Sequence, residues 1–145
     1  MDSGTSRFAM DEQASPLSAV IAALRESIAG LLGVWLFGTW GTEHARPDSD
    51  IDLGVLAERP LTLDERLAAM NLISAVTDRE VDLVDLTRND AVIRAQAVAH
   101  GRRVYCAAPA RCEAFEDFVY SDYARLNEER RAILRDISLR GRIYA

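Results

Sequence analysis

Apolar positions change their spacing several times along the chain, and each change marks a predicted helix or strand. Residues 15–30 carry apolar side chains at helical spacing, with Ser15 as the N-cap and Pro16 at the first helical position. The apolar run 34–37 is bounded by glycines and is too short for a helix, so it predicts a buried strand. The pattern therefore begins with a helix followed by a strand.

Two later segments, residues 50–57 and 80–86, alternate polar and apolar positions and predict a second and a third strand. Thr62 is a predicted N-cap for the helix that follows the second strand. The remaining predicted segments are helices at residues 63–75 and 89–99 and a short run at residues 103–106.

The tail, residues 112–140, repeats apolar and aromatic side chains at helical spacing, as expected for one long helix or two shorter ones. Its charged stretch at residues 127–142 is interpreted either as a solvated helix face or as a surface for a partner helix. Strands interspersed with helices predict a small α/β (α+β) domain over residues 15–145, and the polar residues 1–14 are predicted to be disordered.

Composition narrows the functional classes. A chain of 145 residues with 49% hydrophobic residues can bury one core, and a net charge of −6 argues against a surface that binds nucleic acid. No segment matches a membrane span or a signal peptide, so a cytoplasmic location is predicted. Cys106 and Cys112 have neither metal-ligand spacing nor nearby histidines, and both are predicted to be reduced thiols.

Three aspartates carry the candidate chemistry. Asp50 and Asp52 are two positions apart in the second predicted strand, so their side chains face the same way, and Asp82 faces outward from the third strand by the same alternation. If these strands are neighbours, three carboxylates meet on one face, where a cation such as Mg²⁺ would offset their repulsion. Asp85, three positions from Asp82, should face the other way and is the weaker candidate.

The turn after the first strand supplies the other half of the predicted site. Gly38 allows the backbone to approach a phosphate closely, and Thr39 offers a hydroxyl and a backbone N–H. Residues from Trp40 onward would then begin a short helix whose N-terminus faces the same phosphate. Trp40 is accordingly a candidate for lining the nucleotide pocket.

The string FGTWGTEHARPDSDIDLGV resembles the GSx10DxD signature of DNA polymerase β-like nucleotidyltransferases, and EVDLVDL resembles the strand that carries their third aspartate. Over roughly residues 15–140 the chain is similar to the minimal nucleotidyltransferase (MNT) antitoxins of HEPN/MNT toxin–antitoxin modules. The resemblance implies a short mixed sheet flanked by helices with a C-terminal helical tail. It also implies that Asp50, Asp52 and Asp82 form a site for two Mg²⁺ ions.

The same resemblance implies that Gly38, Thr39, Trp40, Arg46 and Ser49 form the nucleotide-binding group. Thr39 replaces the serine of the family signature, and Gly-Thr-Glu at residues 41–43 replaces its Ala-Arg-Gly, so Arg46 is the remaining candidate for a loop arginine near the triphosphate. The implied activity is transfer of AMP from ATP to a tyrosine of a cognate HEPN ribonuclease toxin, in a heteromeric complex.

Two alternatives stay open at this point. The missing arginine suits an antitoxin that sequesters its toxin by binding alone. A nucleotidyltransferase that modifies small molecules is the third interpretation, and it ranks last because such enzymes usually need an additional substrate-binding domain.

Overall fold

The described part of the chain contains eight helices and strands in the order expected from the sequence, and the short run at residues 103–106 forms the strand β4. The structure is a computed structural model that describes residues 16–38, 40, 45–46, 49–88 and 90–144, with side chains as far as residue 139. The predicted N-cap Ser15 and the segment 1–14 lie outside the described residues. The elements are α1 (16–27), β1 (Leu31–Phe37), β2 (Ile51–Ala57), α2 (Leu63–Thr77), β3 (Val81–Asp85), α3 (Ala91–His100), β4 (Arg102–Cys106) and α4 (Pro109–Tyr144).

The four strands form one mixed sheet in the order β3-β2-β1-β4. β1 is antiparallel to both β2 and β4, whereas β2 and β3 are parallel. The parallel pair needs a crossover, which α2 provides between them. This arrangement confirms the predicted short mixed sheet and makes the second and third strands neighbours.

Each face of the sheet is covered by its own apolar cluster. On one face, side chains of β1, β2 and β3 pack with α1 and α2, and the fully buried members include Leu24, Leu53 and Ile73. On the other face, Trp35 of β1 packs with α3 and α4, and its ring centroid lies 5.4 Å from that of Phe115. The two clusters fix which side chains of each strand face which helices.

β1 is longer than the sequence predicted, because it begins at Leu31 rather than at residue 34. It pairs on both sides, with Leu31 opposite Ala57 of β2 and Gly33 opposite Cys106 of β4. Pairing with two neighbours keeps residues 31–33 in the sheet despite Gly33, which the local pattern marked as a boundary.

The tail forms one helix, α4, which settles the choice between one long helix and two short ones. Its first turns pack on the domain through Cys112 and Val119, both buried, whereas residues 128–139 are exposed on every side of the helix. Among the described helices, none is both long enough and apolar enough to cross a membrane.

Cys106 and Cys112 form a disulfide, with Cα atoms 6.5 Å apart, so the prediction of two reduced thiols was wrong. Cys106 ends β4 and Cys112 lies in the first turn of α4. The chain reverses between these elements and brings the two side chains together, which spacing along the sequence did not reveal.

Candidate functional site

Asp52 and Asp82 occupy paired positions on adjacent parallel strands. The chain neighbours of Asp52, Ile51 and Leu53, are fully buried on the α1 and α2 side, which turns Asp52 to the opposite face. Side chains of paired residues project from the same face of a sheet, so the two carboxylates lie side by side. The structure thereby brings Asp52 and Asp82 together as the alternation predicted.

Asp50 lies immediately before β2 and is exposed. The next residue, Ile51, donates its N–H to the carbonyl of Glu80 at 2.9 Å, which fixes the start of β2 beside the start of β3. Burial raises the pKa of Asp52 above its ordinary value, and the charges of Asp82 and Asp50 raise it further. The carboxylates of Asp82 and Asp50 are therefore close enough to repel that of Asp52.

The donor set suits a hard divalent cation. Among the described residues, no group of three His, Cys, Asp or Glu side chains encloses a metal position by itself. Mg²⁺ usually takes only one or two protein carboxylates and completes its shell with waters and substrate phosphate oxygens. Asp50, Asp52 and Asp82 offer oxygen donors from which such a subset could be drawn, and a cation would relieve the repulsion of Asp52 by Asp82 and Asp50.

Gly38 places backbone directly against Asp52. Its φ of +81° lies in the left-handed region, and its neighbour Phe37 pairs with Asp52 across β1 and β2. A Cβ atom at this position would collide with the Oδ2 atom of Asp52 and would lie 3.2 Å from its carboxyl carbon. Only glycine leaves space at this turn, as a close approach of phosphate would require. Thr39, the other residue predicted for this turn, lies outside the described residues.

Arg46 and Ser49 belong to a hydrogen-bonded turn that leads into Asp50. The N–H of Arg46 donates to the hydroxyl of Ser49 at 2.7 Å, and the N–H of Ser49 donates to the carbonyl of Arg46 at 3.0 Å. The Arg79 guanidinium donates to the carbonyls of Arg46 and Ser49, at 3.0 and 3.1 Å. Arg79 therefore anchors this turn, a role that its sequence position gave no reason to expect.

Trp40 and Asp85, the other two candidates from the sequence, both contact parts of the fold outside the aspartate pair. Trp40 is half-buried and packs against the cluster on the α1 and α2 side. Asp85 is almost completely buried and accepts hydrogen bonds from the N–H groups of Leu61, at 3.0 Å, and Thr87, at 2.9 Å. Asp85 thus holds the loops around β3 together, on the far side from Asp82.

A cavity of about 320 Å³ opens beside Asp82 and includes residues that the sequence argument missed. Arg66 of α2 reaches the edge of β3 and donates to the carbonyl of Leu83. The residues that line the cavity are Phe37, Arg66, Asp82, Val84, Ile93 and Gln96. Their sequence positions are scattered over four elements, so no local motif could have indicated them.

Comparisons with a family model and with a known protein identify the same family. The family model described as polymerase β nucleotidyltransferase matches residues 21–110. The chain is 34% identical over 120 residues to the protein adenylyltransferase MntA of Shewanella oneidensis, which covers 81% of this chain and 84% of that protein.

Solved structures of the same kind superpose on the fold. One is the complex of a tri-AMPylated Shewanella oneidensis HEPN toxin with its MNT antitoxin, at a TM-score of 0.71 and 30% identity over 87% of this chain and 98% of that one. Another is a toxin–antitoxin complex with AMP-PNP, at a TM-score of 0.73 and 31% identity over 83% of this chain and 97% of that one. The matched segment contains Gly38, Asp50, Asp52 and Asp82, and the chain therefore belongs to the polymerase β nucleotidyltransferase family.

Proposed function

We propose that this chain is a Mg²⁺-dependent protein adenylyltransferase that acts as an antitoxin, moving AMP from ATP to a tyrosine of a cognate HEPN toxin. The observation that carries the proposal is the pairing of Asp52 with Asp82 directly beside the Gly38 turn. The similarity to MntA, and to a complex in which the HEPN toxin is tri-AMPylated, supports the same reaction and partner. We assign the reaction to the cytoplasm.

In this mechanism phosphate binding, metal binding and proton transfer are carried out by different residues. Gly38 and Thr39 bind phosphate oxygens of ATP, whereas Asp50, Asp52 and Asp82 would hold Mg²⁺. The ion would supply charge neutralisation at the phosphates. Asp82 orients the acceptor hydroxyl and takes its proton as the oxygen bonds to the α-phosphorus and pyrophosphate leaves. Trp40, Arg46 and Ser49 complete the nucleotide-binding group, with Ser49 and Arg46 acting through the turn before Asp50.

The consequence for the toxin is electrostatic. Each AMP adds a bulky group with an anionic phosphate to the toxin surface. Near the ribonuclease site, such a group repels the phosphates of RNA and blocks access to the active site. Inhibition through a covalent change does not require the two proteins to stay bound.

The test uses the double variant Asp50→Asn/Asp52→Asn with the cognate HEPN protein, ATP and Mg²⁺. Intact-mass measurement should show increments of one or more AMP units on the partner with the wild-type chain and none with the variant. The matched control is Asp64→Asn/Asp117→Asn, which removes two exposed carboxylates of α2 and α4 that do not belong to the candidate site, and this variant should transfer AMP normally.

The binding-only antitoxin is the rival, and the same variants separate it from the enzyme. Neutralisation of the toxin in cells should disappear with Asp50→Asn/Asp52→Asn if AMP transfer is the mechanism. Neutralisation that survives unchanged would contradict the proposal and support sequestration.

A further inference from the structure

We propose that Arg79 is a positioning residue for the candidate metal site, and that its guanidinium holds the turn before β2 so that the Asp50 carboxylate stays beside that of Asp52. The inference rests on the proposed function, because it assigns a residue outside the aspartate and glycine motifs to the same site. Although Arg79 is not one of the proposed ligands, the affinity of the site for Mg²⁺ should depend on it.

Of the three aspartates, Asp50 alone lies outside the strands. Asp52 and Asp82 belong to β2 and β3, whose pairing fixes them side by side. Asp50 precedes the first residue of β2 and is exposed. Its charge raises the pKa of Asp52, which shows that these two carboxylates repel each other. The position of Asp50 therefore depends on contacts that hold the residues beside it against this repulsion.

Both chain neighbours of Asp50 are held by consecutive residues of the connection between α2 and β3. On one side, the Ser49 carbonyl accepts a hydrogen bond from the Arg79 guanidinium at 3.1 Å. On the other side, the N–H of Ile51 donates to the carbonyl of Glu80 at 2.9 Å. Asp50 therefore lies between two contacts to the segment that leads into β3.

The guanidinium closes the turn with a single nitrogen. Nη1 of Arg79 donates to the carbonyls of Arg46 and Ser49, at 3.0 and 3.1 Å. Hydrogen bonds from a charged donor are roughly twice as strong as those between neutral groups. Arg79 is half-buried, so the two bonds are partly shielded from water. This contact can therefore hold the turn in place while the site contains no cation.

The backbone changes direction immediately before Arg79. Asp78 caps the C-terminus of α2 with a φ of 55° and a ψ of 36°, and it is the one non-glycine residue with a positive φ among those described. Glycine is the usual residue at such a helix end, because other residues adopt this conformation at a cost in energy. The fold keeps this less favourable conformation at the residue that directs Arg79 toward the turn.

Removing the donor nitrogen tests the role of Arg79. Arg79→Met keeps an unbranched side chain but cannot donate to either carbonyl. In the presence of AMP-PNP its affinity for Mg²⁺ should fall by roughly 10-fold or more, the effect typical of residues that orient metal ligands. Isothermal titration calorimetry of this chain alone measures the affinity. The Mg²⁺ concentration for half-maximal AMP transfer to the HEPN partner should rise by the same factor, and saturating Mg²⁺ should restore most of the rate.

Arg79→Lys provides the conservative comparison. Both contacts come from one nitrogen, and a lysine ammonium also carries enough hydrogens for two bonds, although its side chain is shorter. Its affinity for Mg²⁺ should lie between those of the wild type and Arg79→Met. Arg88→Met is the matched control, because Arg88 is exposed and follows the opposite end of β3, and it should bind Mg²⁺ as the wild type does.

An anchor that only stabilises the fold gives a different result. If Arg79→Met lowers the Tm but binds Mg²⁺ with wild-type affinity, Arg79 does not position Asp50 and the proposal is overturned. A lysine variant that binds Mg²⁺ no better than the methionine variant would overturn the assignment to these two hydrogen bonds. Arg79→Gln, with a shorter and uncharged side chain, replaces Arg79→Met if that protein does not fold.

Failure of the proposed function is a separate outcome. The binding of Mg²⁺ with AMP-PNP is measured without the HEPN partner, so the role of Arg79 is tested even if the wild-type chain transfers no AMP. AMP transfer with the same Mg²⁺ dependence in the wild type and in Arg79→Met would leave the proposed function intact and overturn the role of Arg79.

Discussion

At the scale of single residues, the candidate site depends on the close approach of the Gly38 backbone to the Asp52 carboxylate. The Gly38 turn and the Asp52 carboxylate leave no room for a Cβ atom between them, and Gly38 also has a positive φ. Both features favour glycine for different reasons, one steric and one conformational. The residue therefore affects the shape of the site as well as the stability of the fold.

Gly38→Ala should destabilise the protein by about 1–3 kcal/mol, because alanine is strained at this φ and its methyl group displaces Asp52. Binding of AMP-PNP should weaken more than the stability change alone explains. Urea denaturation and calorimetric titration with Mg²⁺ present measure the two effects. Unchanged nucleotide affinity in the variant would contradict a phosphate-binding role for this turn.

Asp52 makes stability depend on pH in a defined direction. Its pKa is raised in the folded protein by burial and by Asp82 and Asp50, so the folded state binds more protons than the unfolded state. Its contribution to stability is therefore greatest below the ordinary aspartate pKa and is lost as the pH rises through the folded pKa.

In buffer free of divalent cations, Asp52→Asn should consequently raise the Tm at pH 7. The difference should shrink as the pH falls toward the ordinary aspartate pKa, where the wild-type carboxyl is protonated. Thermal unfolding followed by circular dichroism over this pH range measures it, with Asp117→Asn on α4 as the control. A Tm that falls at pH 7 would show that Asp82 and Asp50 do not repel Asp52 as argued.

At the scale of elements, α2 shows how a local motif joins two helices. The Thr62 hydroxyl accepts the N–H of Glu65 at 3.1 Å, and the Glu65 carboxylate accepts the N–H of Thr62 at 3.0 Å, which completes a capping box. Glu65 also accepts the N–H of Ala29 at 2.9 Å, just beyond α1. The sequence predicted Thr62 as the cap, but the link to Ala29 is a tertiary contact.

Thr62→Ala should cost about 1 kcal/mol of unfolding free energy at pH 7, because the N-terminal N–H groups of α2 lose a partner. Hydrogen bonds from the backbone of Thr62 and Ala29 lower the pKa of Glu65. The stability that the ionised Glu65 carboxylate contributes is therefore present at neutral pH and is lost as the pH falls through the lowered pKa. Urea denaturation measures the change. Ser18→Ala, at an exposed position of α1, is the control and should alter stability by no more than about 0.5 kcal/mol.

At the scale of the whole molecule, α4 is divided between a packed half and a projecting half. Val119 is buried against the sheet, whereas residues 128–139 are exposed on every side. Exposed apolar side chains continue along the projecting half, at Ile133, Leu134 and Ile137. The first half therefore contributes to the core and the second half contributes little to it.

Truncation after Asn127 should change the unfolding free energy of the domain by no more than about 0.5 kcal/mol, because the removed residues make no core contact among those described. Val119→Ala is the contrasting variant and should cost roughly 2 kcal/mol through the cavity it leaves. Urea denaturation of both variants checks the division. A large loss on truncation would mean that the projecting half stabilises the domain.

Most of the element order could be predicted from the sequence, because helix and strand periods are local properties of the chain. The first boundary of β1 differs from the prediction because tertiary pairing extends the strand to Leu31. In the tail, the sequence allowed one helix or two, and the structure has one, α4. The disulfide between Cys106 and Cys112 was missed because it depends on a chain reversal between β4 and α4.

The sequence by itself predicted that Asp50 and Asp52 share a direction and that Asp82 faces outward from its own strand, because side chains alternate along any strand. The strand β2 begins one residue after Asp50, so the alternation applies to Asp52 and not to Asp50. Only the tertiary structure decided that β2 and β3 are neighbours in the register that pairs Asp52 with Asp82, and that the Gly38 turn lies against them. The same applies to the Arg79 anchor and to the cavity under α3. These contacts join segments that lie far apart in sequence, and they are fixed by the packing of two cores on one sheet rather than by any local pattern.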